Sequence, residues 1–251
     1  NFSFDPLYNQ HPYRPAQSGA LRPYRDSWLE TLQRGSFDLL GKTSASLRLR
    51  FEVEVFSNAR LSSLLRELHL YYDGDRFIPN RQGQPDLARH VLRAELHQAL
   101  QRHRGQRICL VTYAMGSLIA YDVLRDLGQH DPDLSVSHFI TLGSPLGLPY
   151  VKTKILRERG YDPSLRTPSL VQDQWVNYAD RRDAIALETH LADDYIANRQ
   201  AVQVQDTLIA NDAVLRDGQP DYHNLYGYLR TPEFSHVVQT FLYPEARNDA
   251  P

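Results

Sequence analysis

Residues 108–121 read Ile108-Cys109-Leu110-Val111-Thr112-Tyr113-Ala114-Met115-Gly116-Ser117-Leu118-Ile119-Ala120-Tyr121. An apolar run short enough for a buried strand breaks at small residues, and a helix-like pattern then follows from Leu118 to Leu127. Gly128 predicts the C-terminal stop of that helix. Cys109, the one cysteine of the chain, lies inside the apolar run and reads as a core thiol rather than a reactive one.

Downstream the same alternation continues. Val136 to Leu142 predicts a strand, closed by Gly143-Ser144-Pro145-Leu146-Gly147. Trp175-Val176-Asn177-Tyr178 predicts a short strand running into Ala179-Asp180-Arg181-Arg182-Asp183, and Val202 to Gln205 a further extended piece. Thr231 and Pro232 make an N-cap and first-turn pair for a helix whose stripe is Phe234, Val237, Val238, Phe241 and Leu242. The stretch 146–174 is polar and Pro-containing, and its local pattern assigns it to no element.

Upstream, Pro85 and Asp86 open a helical stripe of Leu87, Val91, Leu92, Leu96, Ala99 and Leu100, with Gly105 past its end. Leu68-His69-Leu70-Tyr71-Tyr72, closed by Asp73-Gly74-Asp75, predicts a strand. Leu47 to Val55 alternates apolar and charged, as an outer or antiparallel strand does. Residues 1–45 read as irregular, with a short helix around Trp28 to Leu32. Strands alternating with helices, without a linker or repeat, predict one α/β domain over 1–251: a mainly parallel sheet flanked by helices.

Composition narrows the function classes. With 251 residues, 41% of them apolar, the chain can bury one sizeable core. A net charge of -2 gives no electrostatic case for nucleic acid or an anionic membrane as partner. No run approaches the roughly 18 apolar residues of a transmembrane span. One cysteine favours a reducing, cytoplasmic setting, and the start at Asn1-Phe2-Ser3-Phe4 without methionine fits a trimmed N-terminus. His190 with Asp193 and Asp194 reads as a polar surface rather than a metal site, and His236 as an exposed helix residue.

From about Arg107 to Leu242 the chain resembles the serine hydrolases of the α/β-hydrolase superfamily, lipase- and esterase-like members in particular. Thr112-Tyr113-Ala114-Met115-Gly116-Ser117 is similar to their G-H-S-M-G-S nucleophile elbow, with Thr112 where glycine is commonest and Ala114 in the nucleophile's place. Thr141-Leu142-Gly143-Ser144-Pro145-Leu146-Gly147 resembles a strand end that follows the elbow in many lipases. Asp183-Ala184-Ile185-Ala186 resembles their acid loop, and His223 stands where their histidine precedes the last helix. The order of nucleophile position, acid and histidine is the order of that fold. The first hundred residues depart from the family: no apolar strand ending in His-Gly is present to supply a second oxyanion donor. The loop Ser57-Asn58-Ala59 and the turn at Asp73-Gly74 are the candidates for it.

The resemblance implies roles. A serine at 114 would attack an acyl carbonyl, His223 would take its proton, and Asp183 would orient the imidazole, with Asp180 the alternative acid. The Met115 N–H would face the oxyanion. Small residues beside the nucleophile, Gly116 among them, are expected because strand and helix approach closely. Tyr71-Tyr72, Tyr113 and Tyr226-Gly227-Tyr228 are aromatic candidates for a pocket wall. Many relatives place a lid or cap where 146–174 stands here, and Leu146, Leu148, Tyr150, Val151, Ile155 and Leu156 would give it an apolar face. The expected substrate is therefore a small molecule with a hydrophobic acyl group, and neither metal nor organic cofactor is implied. Three readings of Ala114 stand: an inactive Ser-to-Ala form of an esterase, lipase or thioesterase; a natural pseudoenzyme that holds an acyl-type ligand without turnover; or a structural or interaction module that shares only the fold.

Overall fold

The computed structural model describes residues 59–72, 76–131, 133–158 and 164–244. The strand expected at Leu47–Val55 and the helix around Trp28 lie outside them. In chain order come α1 (Ala59–Tyr72), β1 (Phe77–Pro79), β2 (Pro85–Leu87), α2 (Ala88–Arg102), β3 (Cys109–Tyr113) and α3 (Met115–His130). Then follow β4 (Val136–Leu142), a 3-10 turn at Pro145–Gly147, α4 (Pro149–Glu158), β5 (Leu165–Arg166) and β6 (Val171–Ala179). The last elements are a 3-10 turn at Leu191–Asp193, β7 (Tyr195–Ile196), β8 (Val204–Leu208), α5 (Leu225–Leu229) and α6 (Pro232–Leu242).

Four strands make the main sheet in the order β3-β4-β6-β8, every pair parallel. Side chains alternate between its faces, so a strand covered on both sides reads as continuously apolar. Phe139 and Trp175 point into one core with Leu118, Tyr121 and Leu124 of α3. Ile140, Leu142, Val176 and Tyr178 point into the other, with Tyr228 of α5 and Val237 of α6. The sheet is therefore flanked by helices on both faces. Two small sheets stand apart from it, the antiparallel pair β1-β2 and the parallel pair β5-β7.

Several expectations need correction. Leu68–Tyr72 is the last part of helix α1, not a strand: Leu64, Leu68 and Tyr71, spaced by four and three, are all buried on one helical face. A five-residue window contains too little of that period to tell it from alternation. The helix after Pro85 begins only at Ala88, because Pro85–Leu87 pairs with Phe77–Pro79 as a short antiparallel ladder. Gly128 lies inside α3, which continues to His130. It marks a close approach instead, since a Cβ there would sit 2.2 Å from Ser169 Oγ.

The stretch expected to form a lid or cap supplies core. Leu146, Leu148, Val151 and Ile155 are buried in the larger core, with Tyr150 and Leu156 packed against it. Helices α1 to α4 are also joined by charge. Asp122, with no exposed side-chain surface, accepts from the Tyr71 hydroxyl at 2.7 Å and from Arg93, while Glu158 receives Arg89 and Arg125. Burial pushes the Asp122 carboxyl above its ordinary range, and the guanidinium groups of Arg93 and Arg125 oppose that.

The helical face of α1 is testable by urea denaturation. Leu68→Ala removes a fully buried side chain and should lower the unfolding free energy by about 2–5 kcal/mol. Arg66→Ala, on the exposed face, should stay within about 0.5 kcal/mol. Equal losses at the two positions would contradict this packing.

Candidate active site

The strand pairing brings the ends of three strands to one edge. Tyr113 stands opposite Leu142, and Leu142 opposite Tyr178. One residue further, the Ala114 N–H donates to Leu142 O and the Gly143 N–H to Tyr178 O, each at 3.0 Å. Both chains then turn sharply. Ala114 has φ 49° and ψ -127°, and Gly143 has φ 53°. A left-handed φ at a non-glycine residue costs on the order of 1–3 kcal/mol and is held only by its surroundings. At Ala114 those surroundings are β3 on one side and the first turn of α3 on the other, where Ser117 N–H closes onto Ala114 O.

Ala114 is the N-cap residue of α3, so the Met115 N–H belongs to the first turn, whose amides have no intrahelical acceptor. Such amides and the helix dipole favour negative charge at that spot. Thr112 does not spread the turn. It is buried, and its hydroxyl lies 2.9 Å from Ile140 O and 3.2 Å from Ser117 Oγ. Gly116 corrects an expectation: a Cβ there would meet nothing within 4 Å, so its smallness serves no close packing. It lines a cavity instead.

That cavity, of about 640 Å³, brings Ala114, Met115 and His223 together. Asp183, fully buried, lies behind the histidine with Oδ2 2.7 Å from His223 Nδ1. A carboxylate can only accept there, so Nδ1 carries the proton and Nε2 is the nitrogen left for proton exchange. Asp183 Oδ1 accepts the Ile185 N–H at 2.8 Å. Asp180, the other acid considered, is engaged elsewhere: Arg182 donates to its two oxygens at 2.9 and 2.6 Å, and the Asn211 N–H adds 2.6 Å. It braces the loop and does not reach His223.

The histidine loop is fixed from several sides. Asn224 caps α5, accepting from the Tyr226 and Gly227 N–H groups, and the Asn211 side chain donates to Asn224 O at 2.8 Å. Tyr113 stacks on the His223 ring with centroids 4.8 Å apart and donates its hydroxyl to His223 O. Of the other aromatic candidates, Tyr226 lines the cavity and is exposed, Tyr228 is buried, and Tyr71 and Tyr72, at the end of α1, do not line it.

Two contributions escaped the sequence reading. Helix α1 places Ser63, Leu64 and Glu67 in the cavity wall, although nothing in their local pattern singles them out. Gly143 is the other: a Cβ there would stand 2.9 Å from Asp183 Oδ2 and 3.1 Å from His223 Nδ1. Its signal was visible as a glycine ending a strand. Of the loops considered for a second oxyanion donor, residues 57–58 and 73–75 lie outside the described residues, and Ala59 begins α1.

His190, Asp193, Asp194 and His236 do not line this cavity. His190 is 3.7 Å from Glu188, Asp194 holds Lys152 at 2.6 Å, and His236 lines a different cavity near α6. Among the described residues no group of three or more His, Cys, Asp or Glu is placed to hold a metal ion. Burial pushes the Cys109 thiol up to about 11, which leaves it protonated at neutral pH. No described helix is long and apolar enough to cross a membrane. Neither a family model, nor a curated protein, nor a solved structure matches the chain.

The close approach at Gly143 makes a prediction that requires no turnover. Gly143→Ala should break the His223–Asp183 hydrogen bond and remove its downfield Nδ1 proton resonance from the NMR spectrum. Gly116→Ala, facing open space, should leave that resonance in place. Its survival in a folded Gly143→Ala protein would refute the close approach.

Proposed function

We propose that this chain has the frame of an α/β-hydrolase of the esterase, lipase or thioesterase type, with Ala114 in the place of the nucleophilic serine. The observation that carries the reading is the 2.7 Å contact between Asp183 and His223 behind a cavity shared with the strained residue Ala114. A turn with left-handed φ at a helix N-terminus, backed by an imidazole whose Nδ1 is already committed to a carboxylate, is what a hydroxyl nucleophile needs for activation. Nothing about an alanine needs it.

With serine at 114, this reading gives the following steps. His223 Nε2 takes the hydroxyl proton as Oγ bonds to the acyl carbon, and the carbonyl electrons move onto oxygen. The Met115 N–H stabilises that oxyanion. Collapse of the tetrahedral species expels the alcohol or thiol, which leaves with the proton from His223. Water then repeats the sequence and releases the acid, while Asp183 stabilises the charged imidazole in both halves. No step calls for a metal or an organic cofactor.

The substrate side is coarser. Leu64, Ile185, Leu225 and Tyr226 give the cavity apolar wall, and 640 Å³ suits a small molecule. This supports an acyl substrate with a hydrophobic part, bound by α1 and the histidine loop rather than by the 146–174 stretch. Alanine at 114 is itself the observation favouring a second reading, a pseudoenzyme that holds an acyl-type ligand without turnover.

Two measurements separate these readings. Ala114→Ser should react with a fluorophosphonate probe at residue 114 and hydrolyse p-nitrophenyl esters, whereas the chain with Ala114 should do neither. A folded Ala114→Ser protein that stays unlabelled sinks the hydrolase reading, and a ligand carried through purification, found by native mass spectrometry, would then support the second. In the Ala114→Ser background Asp183→Asn should lower kcat by about 10³–10⁴. Asp180→Asn should act mainly on stability, and the opposite ranking would exchange the two aspartates.

A further inference from the structure

Asp183 accepts more hydrogen bonds than its partnership with His223 requires. Its Oδ2 is shared, with His223 Nδ1 at 2.7 Å and the Tyr228 hydroxyl also at 2.7 Å. Tyr228 has no exposed surface, and its oxygen accepts the Asp180 N–H at 3.2 Å. The hydroxyl proton is therefore directed at one acceptor, Asp183 Oδ2.

We propose that Tyr228 is a positioning residue of the candidate site: its hydroxyl clamps Asp183 Oδ2 and, by drawing charge from that oxygen, sets how firmly the carboxylate holds a proton on His223. Burial, and then the neighbouring charge of Asp183, push the Tyr228 phenol well above its ordinary range, so the hydroxyl keeps its proton at neutral pH. An acceptor oxygen that serves two donors divides its charge between them. Removing one strengthens its pull on the other and favours the imidazolium over the neutral ring.

The placement is economical in chain length. His223 and Tyr228 belong to one short segment, and α5 between them is held by Asn224 and Asn211. The same segment thus carries the imidazole and the clamp on its carboxylate partner, while the Asp180 N–H ties Tyr228 to the end of β6. Other groups face His223 from the packed elements: Tyr113 of β3 stacks on the ring, and Glu67 of α1 and Asp221 share the cavity with it. The Arg182 guanidinium is held by Asp180. Of these side chains only Tyr228 donates to the carboxylate oxygen that His223 uses.

The inference rests on the hydrolase reading only where it makes His223 a general base, because the clamp itself can be measured without turnover. The test is an NMR titration of the His223 ring in the full chain with Ala114 present. Tyr228→Phe should raise the His223 midpoint by about 0.5–1 pH unit. Replacing Tyr228 with 3-fluorotyrosine, a stronger donor of nearly the same shape, should lower it. A folded Tyr228→Phe protein with an unmoved midpoint overturns the proposal. Should the phenylalanine protein not fold, the fluorinated protein decides alone, and no downward shift overturns it.

A second arm uses Ala114→Ser as background, where Tyr228→Phe should lower kcat about tenfold with KM within about twofold, and the kinetic pKa should rise with the NMR midpoint. A residue that served only to fill space would move stability and leave both midpoints in place. Absence of turnover in Ala114→Ser itself, with the NMR shifts as described, overturns the hydrolase reading and supports the clamp.

Discussion

Two backbone hydrogen bonds, from Ala114 N–H to Leu142 O and from Gly143 N–H to Tyr178 O, determine where everything else at this site can stand. Each carries the parallel ladder one residue past the end of a strand and then releases the chain into a left-handed φ. Because β3, β4 and β6 end in register, the two turns lie side by side at the carboxyl edge of the sheet. This is where open α/β sheets leave room for a ligand. The loop after β6 then needs only three residues beyond Asp180 to bring Asp183 over Gly143.

That arrangement concentrates cost in a small volume. Ala114 holds a backbone conformation disfavoured for any residue with a Cβ, and Asp183 is a carboxylate removed from water. Both are offset locally. Ala114 is held between a strand and a 16-residue helix, α3, whose buried face runs through Leu118, Tyr121 and Leu124. Asp183 accepts from Ile185, His223 and Tyr228, so the buried carboxylate has a partner on each oxygen. Alanine at 114 leaves this framework standing because the strain resides in the backbone, not in the side chain.

The wall opposite the elbow is attached by a different kind of force. Helix α1, which supplies Leu64 and Glu67 to the cavity, packs Leu68 and Tyr71 on the core of α3 and extends the Tyr71 hydroxyl to buried Asp122. Arg93 of α2 and Arg125 of α3 surround that carboxylate. An ion pair taken out of water contributes little net stability, but leaving one partner alone is costly, so such a network resists any sliding of α1 and α2 over α3.

How much of this was legible follows from how local each determinant is. The strand Val136–Leu142 and the cap at Thr231–Pro232 were readable with their boundaries, since Val136, Phe139, Ile140 and Leu142 closed by a Gly-Ser-Pro turn, and an N-cap with proline in the first turn, are complete signals in themselves. The break at Ala114, the order Ala114, Asp183, His223, and the loop position of each were readable too. What sequence could not decide were relations between distant backbones. Leu68–Tyr72 is helix because Leu64, Leu68 and Tyr71 share one buried face, and Gly128 lies within α3 against Ser169. Between Asp180 and Asp183 the sequence offered only the Ala184-Ile185-Ala186 that follows the second. The turn after β6 aims one at Arg182 and the other at His223, and α5 folds Tyr228 onto the second. The sequence by itself determined which residue types arrive at the sheet edge and in what order. Tertiary structure alone decided which atoms touch, because a hydrogen bond between residues 40 positions apart depends on strand register and loop direction, and neither is written in any local pattern.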